Sequence, residues 1–196
     1  PEVCNDEIAK GNIDGVALAR ILLADPEWAN KAQANIKDEI KPCIGCHIGC
    51  LGRLFQGKRM GCAVNPECGS EICYHYEKSD IQKHIVIVGG GIAGMEAALD
   101  ATKKGYLATI YEASNQLGGA FISASAMSFK EEDKKLIQWY INECQKTGVQ
   151  FVMNTKITPE LIDSLQFDEL IIATGAKARQ LSNIKGLEKV KVINAK

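Results

Sequence analysis

The chain carries no excess of charge. Across 196 residues, 23 Lys and Arg face 24 Asp and Glu, for a net charge of −1. So even a balance argues against a nucleic-acid partner or an anionic membrane surface, both of which select for basic patches. No apolar run approaches the ~18 residues needed to span a bilayer. The opening PEVCNDEIAK has neither the basic start nor the apolar core of a secretory signal. Together these absences predict a cytoplasmic protein. There is no internal repeat and no low-complexity segment. An initiating methionine is also lacking: the sequence begins at Pro1 and in mid-pattern, and so reads as a piece of a longer polypeptide.

Cysteine, by contrast, is plentiful, with 8 residues. Without a secretory signal, a clustered set points to a metal in a reducing compartment rather than to disulfides. Cys43, Cys46, Cys50 and Cys62 fall within Lys41–Pro66, separated by two, three and eleven residues. Four thiolates at such spacing fit either an iron–sulfur cluster or a structural zinc. Zinc ribbons usually show two separated C-x2-C pairs, so three crowded cysteines and a distant fourth favour a cubane cluster. Cys43–His47 also matches the C-x-x-C-H pattern of c-type haem attachment, but that reading requires export and leaves Cys50 and Cys62 unexplained. Unliganded structural thiols are the remaining alternative, and His47 then reads as a loop residue. Gly45, Gly49 and Gly52 would let backbone N–H groups approach sulfur, and Lys41, Arg53, Lys58 and Arg59 would offset thiolate charge. Cys68 and Cys73 read as ordinary thiols, and Cys144, in a helical stretch, as packing.

Before this loop, Asn5–Lys10 reads as the end of a helix closed by Gly11. Gly15–Arg20 is a short apolar run suited to a buried parallel strand. Asp25-Pro26-Glu27-Trp28 opens a helix, with Asp25 as cap and Pro26 at the first helical position. One strand and one helix make a single β/α unit that cannot bury its own strand, so its partner strands must be supplied elsewhere. A small independent α/β cap is the alternative. Arg20 ends the expected strand, on the rim where β/α barrels bind phosphate, and a guanidinium offers a fork of donors to such an anion. A solvated loop arginine would look the same.

After a polar linker at Tyr74–Gln82, Lys83–Val88 is a β-branched strand followed by Gly89-Gly90-Gly91-Ile92-Ala93-Gly94 and a helical run to Lys104. This is G-x-G-x-x-G in its strand–turn–helix setting. Gly89 permits the turn, Gly91 lets backbone approach a pyrophosphate, and Gly94 lets helix and strand pack. Strand Tyr106–Tyr111 and then Glu112, 23 residues after Gly89, supply the carboxylate for a ribose. Gly118 and Gly119 form a second glycine turn near the same cofactor. Lys130–Thr147 is an amphipathic helix with Leu136, Ile137, Tyr140 and Ile141 on its apolar side. Strands follow at Val149–Met153 and Glu169–Thr174, and a further one is possible at Lys191–Ile193.

In this order the motifs resemble the flavin- and iron–sulfur-containing branch of the old yellow enzyme family. That branch includes 2,4-dienoyl-CoA reductase, trimethylamine dehydrogenase and the bile-acid-inducible NADH:flavin oxidoreductases. The carrying residues are Asp14–Arg20, Leu23–Trp28, the four cysteines, Cys62–Pro66 and the Val88–Gly94 fingerprint. The resemblance covers essentially the whole chain and implies an α/β fold in three parts. Residues 1–40 would be the last β/α unit of an FMN-binding TIM barrel, 41–82 the 4Fe–4S segment and linker, and 83–196 an incomplete Rossmann-like FAD domain. It implies Cys43, Cys46, Cys50 and Cys62 as cluster ligands, and Arg20 on the FMN phosphate. Gly89, Gly91, Ala93 and Gly94 would line the FAD pyrophosphate, Glu112 would bind its ribose, and Gly118, Gly119, Thr174 and Gly175 would lie near the flavin. Ala19 replaces a glycine usual before that arginine.

The parent protein would then pass electrons from NAD(P)H through FAD, cluster and FMN to an α,β-unsaturated carbonyl substrate. Most of the barrel and the NAD(P)H site would lie outside this chain, which should not complete the reaction alone. Competing readings are an amine dehydrogenase with reversed electron flow, a stand-alone FAD/iron–sulfur electron-transfer module, and a small subunit like that of glutamate synthase. Leu23–Trp28 argues against the last.

Overall fold

The computed structural model describes residues 1–74, 77–179 and 184–186. The expected strand at Lys191–Ile193 lies outside them. The N-terminal third is short helices and turns: α1 (Glu2–Ala9), α2 (Arg20–Ala24), α3 (Trp28–Gln33), a 3-10 turn at Lys37–Glu39, α4 (Leu51–Leu54) and a second 3-10 turn at Glu71–Cys73. The rest is β1 (His84–Val88), α5 (Ile92–Lys103), β2 (Leu107–Tyr111), α6 (Ala120–Ala124), α7 (Glu131–Lys146), β3 (Gln150–Val152), α8 (Pro159–Ser164) and β4 (Glu169–Ile172).

The four strands form one parallel sheet in the order β3-β2-β1-β4. β1 is buried over four of its five residues, which is why it reads as an unbroken apolar run rather than an alternating one. From β1 the chain first moves to one side through β2 and β3, then crosses to the other side as β4. Such a reversal opens a crevice beyond the carboxyl ends of the central strands.

Ile85, Ile87 and Ile110 meet Met95, Ala98 and Leu99 of α5 and Leu136, Tyr140 and Cys144 of α7 in one core cluster. Ile87, Met95 and Ile110 are fully enclosed, each stabilising the fold by about 1.5–3 kcal/mol. On α7 the residues Leu136, Tyr140 and Cys144 recur every fourth position, as one helix face must. Ile137 and Ile141 sit beside that face, half-buried. Among the described residues no helix is long and apolar enough to cross a membrane.

Two expectations are corrected. Gly15–Ala19 forms no strand, and Arg20 opens α2 instead of ending a strand. A parallel strand exists only by hydrogen bonding to neighbours, and the described residues offer none at this position. The next helix starts at Trp28 rather than Pro26. The Asp25 carboxylate does accept from Glu27 N at 3.0 Å, but as a local turn. Its other oxygen is held by Lys31 Nζ at 2.8 Å and Lys41 N at 2.7 Å.

Candidate functional site

The first group of residues gathers at the crevice beyond β1. Gly89 has φ +113, a region open to glycine and strained for other residues. A Cβ there would also strike the Ala173 carbonyl, and one on Gly94 would strike the Gly89 carbonyl. The turn, the first turn of α5 and the end of β4 are therefore pressed together, and Thr174 and Gly175 follow directly. Gly91 differs: the nearest atom to a Cβ there would be Gly119 Cα, at 4.0 Å. The space in front of Gly91 is open, while Ala93 is exposed beside it and Gly94 buried behind it.

The second glycine turn is tied to the first, Gly118 N donating to Gly90 O at 2.8 Å, with a bridge between Gly91 and Gly118. Glu112 closes the group. Its Oε2 accepts from Gly90 N and its Oε1 from Ser114 N, both at 2.8 Å. Burial pushes this carboxyl up, but the N–H donors of Ser114 and Gly90 outweigh it and leave it below the ordinary glutamate value. The structure thus gathers Gly89, Gly91, Gly94, Glu112, Gly118 and Gly119 at one turn, with Thr174 and Gly175 continuing from the end of β4 beside it.

The second group lies in the cysteine segment. Cys43, Cys46, Cys50 and Cys62 line one cavity, together with Arg20 and His47. Two tight crossings shape it. Gly61 N donates to Gly49 O at 2.8 Å, and a Cβ on Gly49 would sit 2.8 Å from the Gly61 oxygen. Glycine at 49 thereby brings the distant Cys62 alongside Cys50. Gly52 N donates to His47 O at 2.8 Å, turning the chain into α4. All eight cysteines are free thiols. Cys68 is buried nearby, and its thiol is pushed up by burial and by the adjacent Cys62. Among the described residues no three His, Cys, Asp or Glu side chains converge tightly enough to grip a single metal ion.

Sequence reasoning missed what surrounds this cavity. Of the four basic residues expected to offset thiolate charge, none lines it; the lining cation is Arg20. Arg20 Nη1 contacts His47 Nε2 at 2.7 Å, so this imidazole nitrogen is engaged and does not stand free as a haem ligand. Lys41 instead turns into the seam between the cysteine segment and the sheet domain. Its Nζ is 3.5 Å from Glu96 Oε2, 4.4 Å from the Trp139 ring centroid and 5.2 Å from that of Tyr140. Tyr140 in turn donates to Glu96 Oε2 at 2.6 Å. Burial lowers the Lys41 ammonium against the opposing pull of Glu96, and raises the Tyr140 hydroxyl. No local sequence signal announces this arrangement, since its members are up to about a hundred residues apart.

Known proteins share this fold and sequence pattern. The chain is 40% identical over 190 residues to a cinnamate reductase of Clostridium sporogenes, covering 97% of this chain and 28% of that protein. It is 41% identical over 191 residues to an NADH oxidase of Thermoanaerobacter brockii, covering 96% of this chain and 29% of that one. A solved structure of 2-naphthoyl-CoA reductase with 2-naphthoyl-CoA superposes with a TM-score of 0.93 at 31% identity, over 100% of this chain and 30% of that one. Histamine dehydrogenase from Rhizobium sp. 4-9 superposes with a TM-score of 0.85 at 25% identity, over 92% of this chain and 27% of that one. The chain therefore spans less than a third of the length of these relatives. Residues 55–164 and 83–195 match the family model described as pyridine nucleotide-disulphide oxidoreductase. With the parallel sheet, the glycine turn at its switch point and Glu112 on that turn, the chain belongs to the pyridine nucleotide-disulphide oxidoreductase family.

Proposed function

We propose that the whole protein is an NAD(P)H-dependent flavin oxidoreductase that reduces an α,β-unsaturated carbonyl compound, and that this chain holds two of its redox groups. FAD would lie on Gly89, Gly91, Ala93 and Gly94, with Glu112 at its ribose and Gly118, Gly119, Thr174 and Gly175 toward the flavin. A 4Fe–4S cluster would be held by Cys43, Cys46, Cys50 and Cys62. When bound, these groups convert the hydride of NAD(P)H into single electrons that can cross to FMN, which hydride itself cannot do. Arg20 would hold the FMN phosphate, from residues 1–40 at the end of an FMN barrel. Residues 41–82 are the cluster segment and 83–196 part of the FAD domain. The remaining barrel and the NAD(P)H site belong to the rest of the protein.

The observation that carries this reading is four thiols, three crowded and one distant in sequence, gathered around one cavity. The open face of Gly91 supports the dinucleotide, because in the first glycine turn a Cβ on Gly89, Gly90 or Gly94 would strike its neighbours while one on Gly91 would meet only Gly119 Cα at 4.0 Å. The family resemblance and the reductase names among the relatives supply the direction of electron flow. The likeness to histamine dehydrogenase supports a second reading, oxidation of an amine with electrons running the other way.

The test is to purify the full-length protein without oxygen and measure iron, acid-labile sulfide, zinc and flavin per chain. Iron and sulfide in equal amounts, with colour bleached by NADH or NADPH, are expected. Zinc without iron would sink the cluster assignment. Bleaching by amines and not by NAD(P)H would decide for the dehydrogenase reading.

A further inference from the structure

The two candidate sites sit on different parts of the chain, and electrons must cross the gap between them. What fixes that gap is legible in the seam. Asp25 gathers Glu27 N, Lys31 Nζ and Lys41 N, setting the backbone just before Cys43. From that backbone the Lys41 side chain leaves the cysteine cavity and enters the sheet domain. There its ammonium meets Glu96 on one side and the faces of Trp139 and Tyr140 on others.

Glu96 stands in α5, whose N-cap is Gly91, and Lys41 stands two residues before Cys43. One ion pair thus has one foot beside a cysteine of the cavity and the other on the helix that begins at the glycine turn. The seam holds other contacts too: Lys103 with Glu67 at 2.7 Å, Lys146 with Glu39 at 2.5 Å, Trp139 Nε1 with Glu39 O at 2.9 Å, and Cys43, Ile44 and Cys62 packed against the core.

From this we infer that Lys41 is a positioning residue for electron transfer, its caged ammonium fixing the cysteine site at a set distance from the dinucleotide site through Glu96. The inference rests on the functional reading above. A cation boxed between a carboxylate and two aromatic faces has little freedom. Removing one partner of such a buried pair leaves the charge of the other uncompensated. Electron transfer between fixed redox groups weakens as their separation grows, so a loosened seam slows it. The role therefore concerns rate and not cofactor loading: neither foot of the pair is itself a cysteine of the cavity or a residue of the glycine turn.

The experiment uses the full-length protein, with Lys41→Met, Lys41→Arg, Glu96→Gln and the Lys41→Met/Glu96→Gln double variant. Iron and FAD per chain and both midpoint potentials are measured. Stopped-flow mixing with NADH under anaerobic conditions then times arrival of electrons at the cluster. Lys41→Met is expected to keep iron and FAD at wild-type content and to slow transfer several-fold, beyond what any shift of the two potentials accounts for. Lys41→Arg restores most of the rate, and the double variant is no slower than Lys41→Met alone, because both changes break one coupling. Wild-type transfer in a fully loaded Lys41→Met protein overturns the inference. So does a rate that falls only in step with iron or FAD content, since Lys41 would then serve folding alone. If Lys41→Met does not fold, Glu96→Gln decides on the same readout: slowed transfer at full iron and FAD loading supports the inference, and wild-type transfer overturns it. A wild-type protein without an iron–sulfur cluster removes the functional reading and this inference with it; the other negative outcomes remove this inference alone.

Discussion

Arg20 and His47 touch across 27 positions of sequence, Nη1 to Nε2, at 2.7 Å. Arginine can only donate, so Nε2 of His47 accepts, and a neutral ring carries its proton on Nδ1. His47 also has φ +58, a left-handed conformation that Asn tolerates better than most residues. His47→Asn should therefore keep the loop and lose the contact that orients Arg20. In the full-length protein the expected result is weaker FMN retention with unchanged iron content. Flavin fluorescence after ultrafiltration measures the first and a chelator assay the second. Equal FMN retention would separate Arg20 from the phosphate.

The cysteines divide into two classes that can be told apart by iron content. Ser at position 43, 46, 50 or 62 removes a thiol lining the shared cavity and should lower iron per chain to a small fraction of wild type. Cys73→Ser changes an exposed thiol and should leave iron unchanged. The check is metal analysis of anaerobically purified variants. Iron retained by any of the first four would remove that residue from the ligand set.

Gly91→Ala and Gly94→Ala differ by one methyl at neighbouring positions and should fail differently. At Gly94 the methyl collides with the Gly89 carbonyl, and overpacking of this kind costs about 1–3 kcal/mol. A lowered melting temperature is expected. At Gly91 the methyl meets only Gly119 Cα at 4.0 Å, so the fold should hold while FAD affinity falls. Thermal unfolding and flavin titration on the same two variants check both halves.

Glu112 predicts a pH dependence. Burial raises its carboxyl, but the Ser114 and Gly90 N–H groups lower it more, so the folded value lies below the unfolded one. An acid so depressed contributes stability that is complete above the unfolded value, about 4.3. That contribution is lost as pH falls through the folded value, because the unfolded state then binds more protons. Urea midpoints at neutral pH and near pH 4 should differ more for the wild type than for Glu112→Gln. A parallel fall in both proteins would show that this carboxylate is not responsible.

The sheet half of this molecule was legible because its signals are local. Lys83–Val88, the glycine turn and Glu112 each carry their own pattern, and a buried central strand has no polar alternation to disguise it. The cysteines were legible by spacing. Gly15–Arg20 was not, since an apolar run becomes a strand only beside another strand, and no nearby residue reports whether one exists. Asp25 was recognised as a cap but serves more as a hub, because the groups it holds include Lys41 N, 16 positions away. The Arg20–His47 contact and the Lys41 cage were invisible for the same reason: each joins ordinary-looking side chains brought together only by folding.

The seam also sets an order of events during synthesis. Trp139, which closes the cage around Lys41 and holds Glu39 O, follows Glu39 by 100 residues. At ribosomal speeds of about 5–20 residues per second, roughly 5–20 s pass between the emergence of these two partners. For most of that interval Cys43, Cys46, Cys50 and Cys62 are outside the ribosome while the surface that will dock their segment does not yet exist. The thiols are open to metal carriers, and equally to oxidants, before the protein can shelter them.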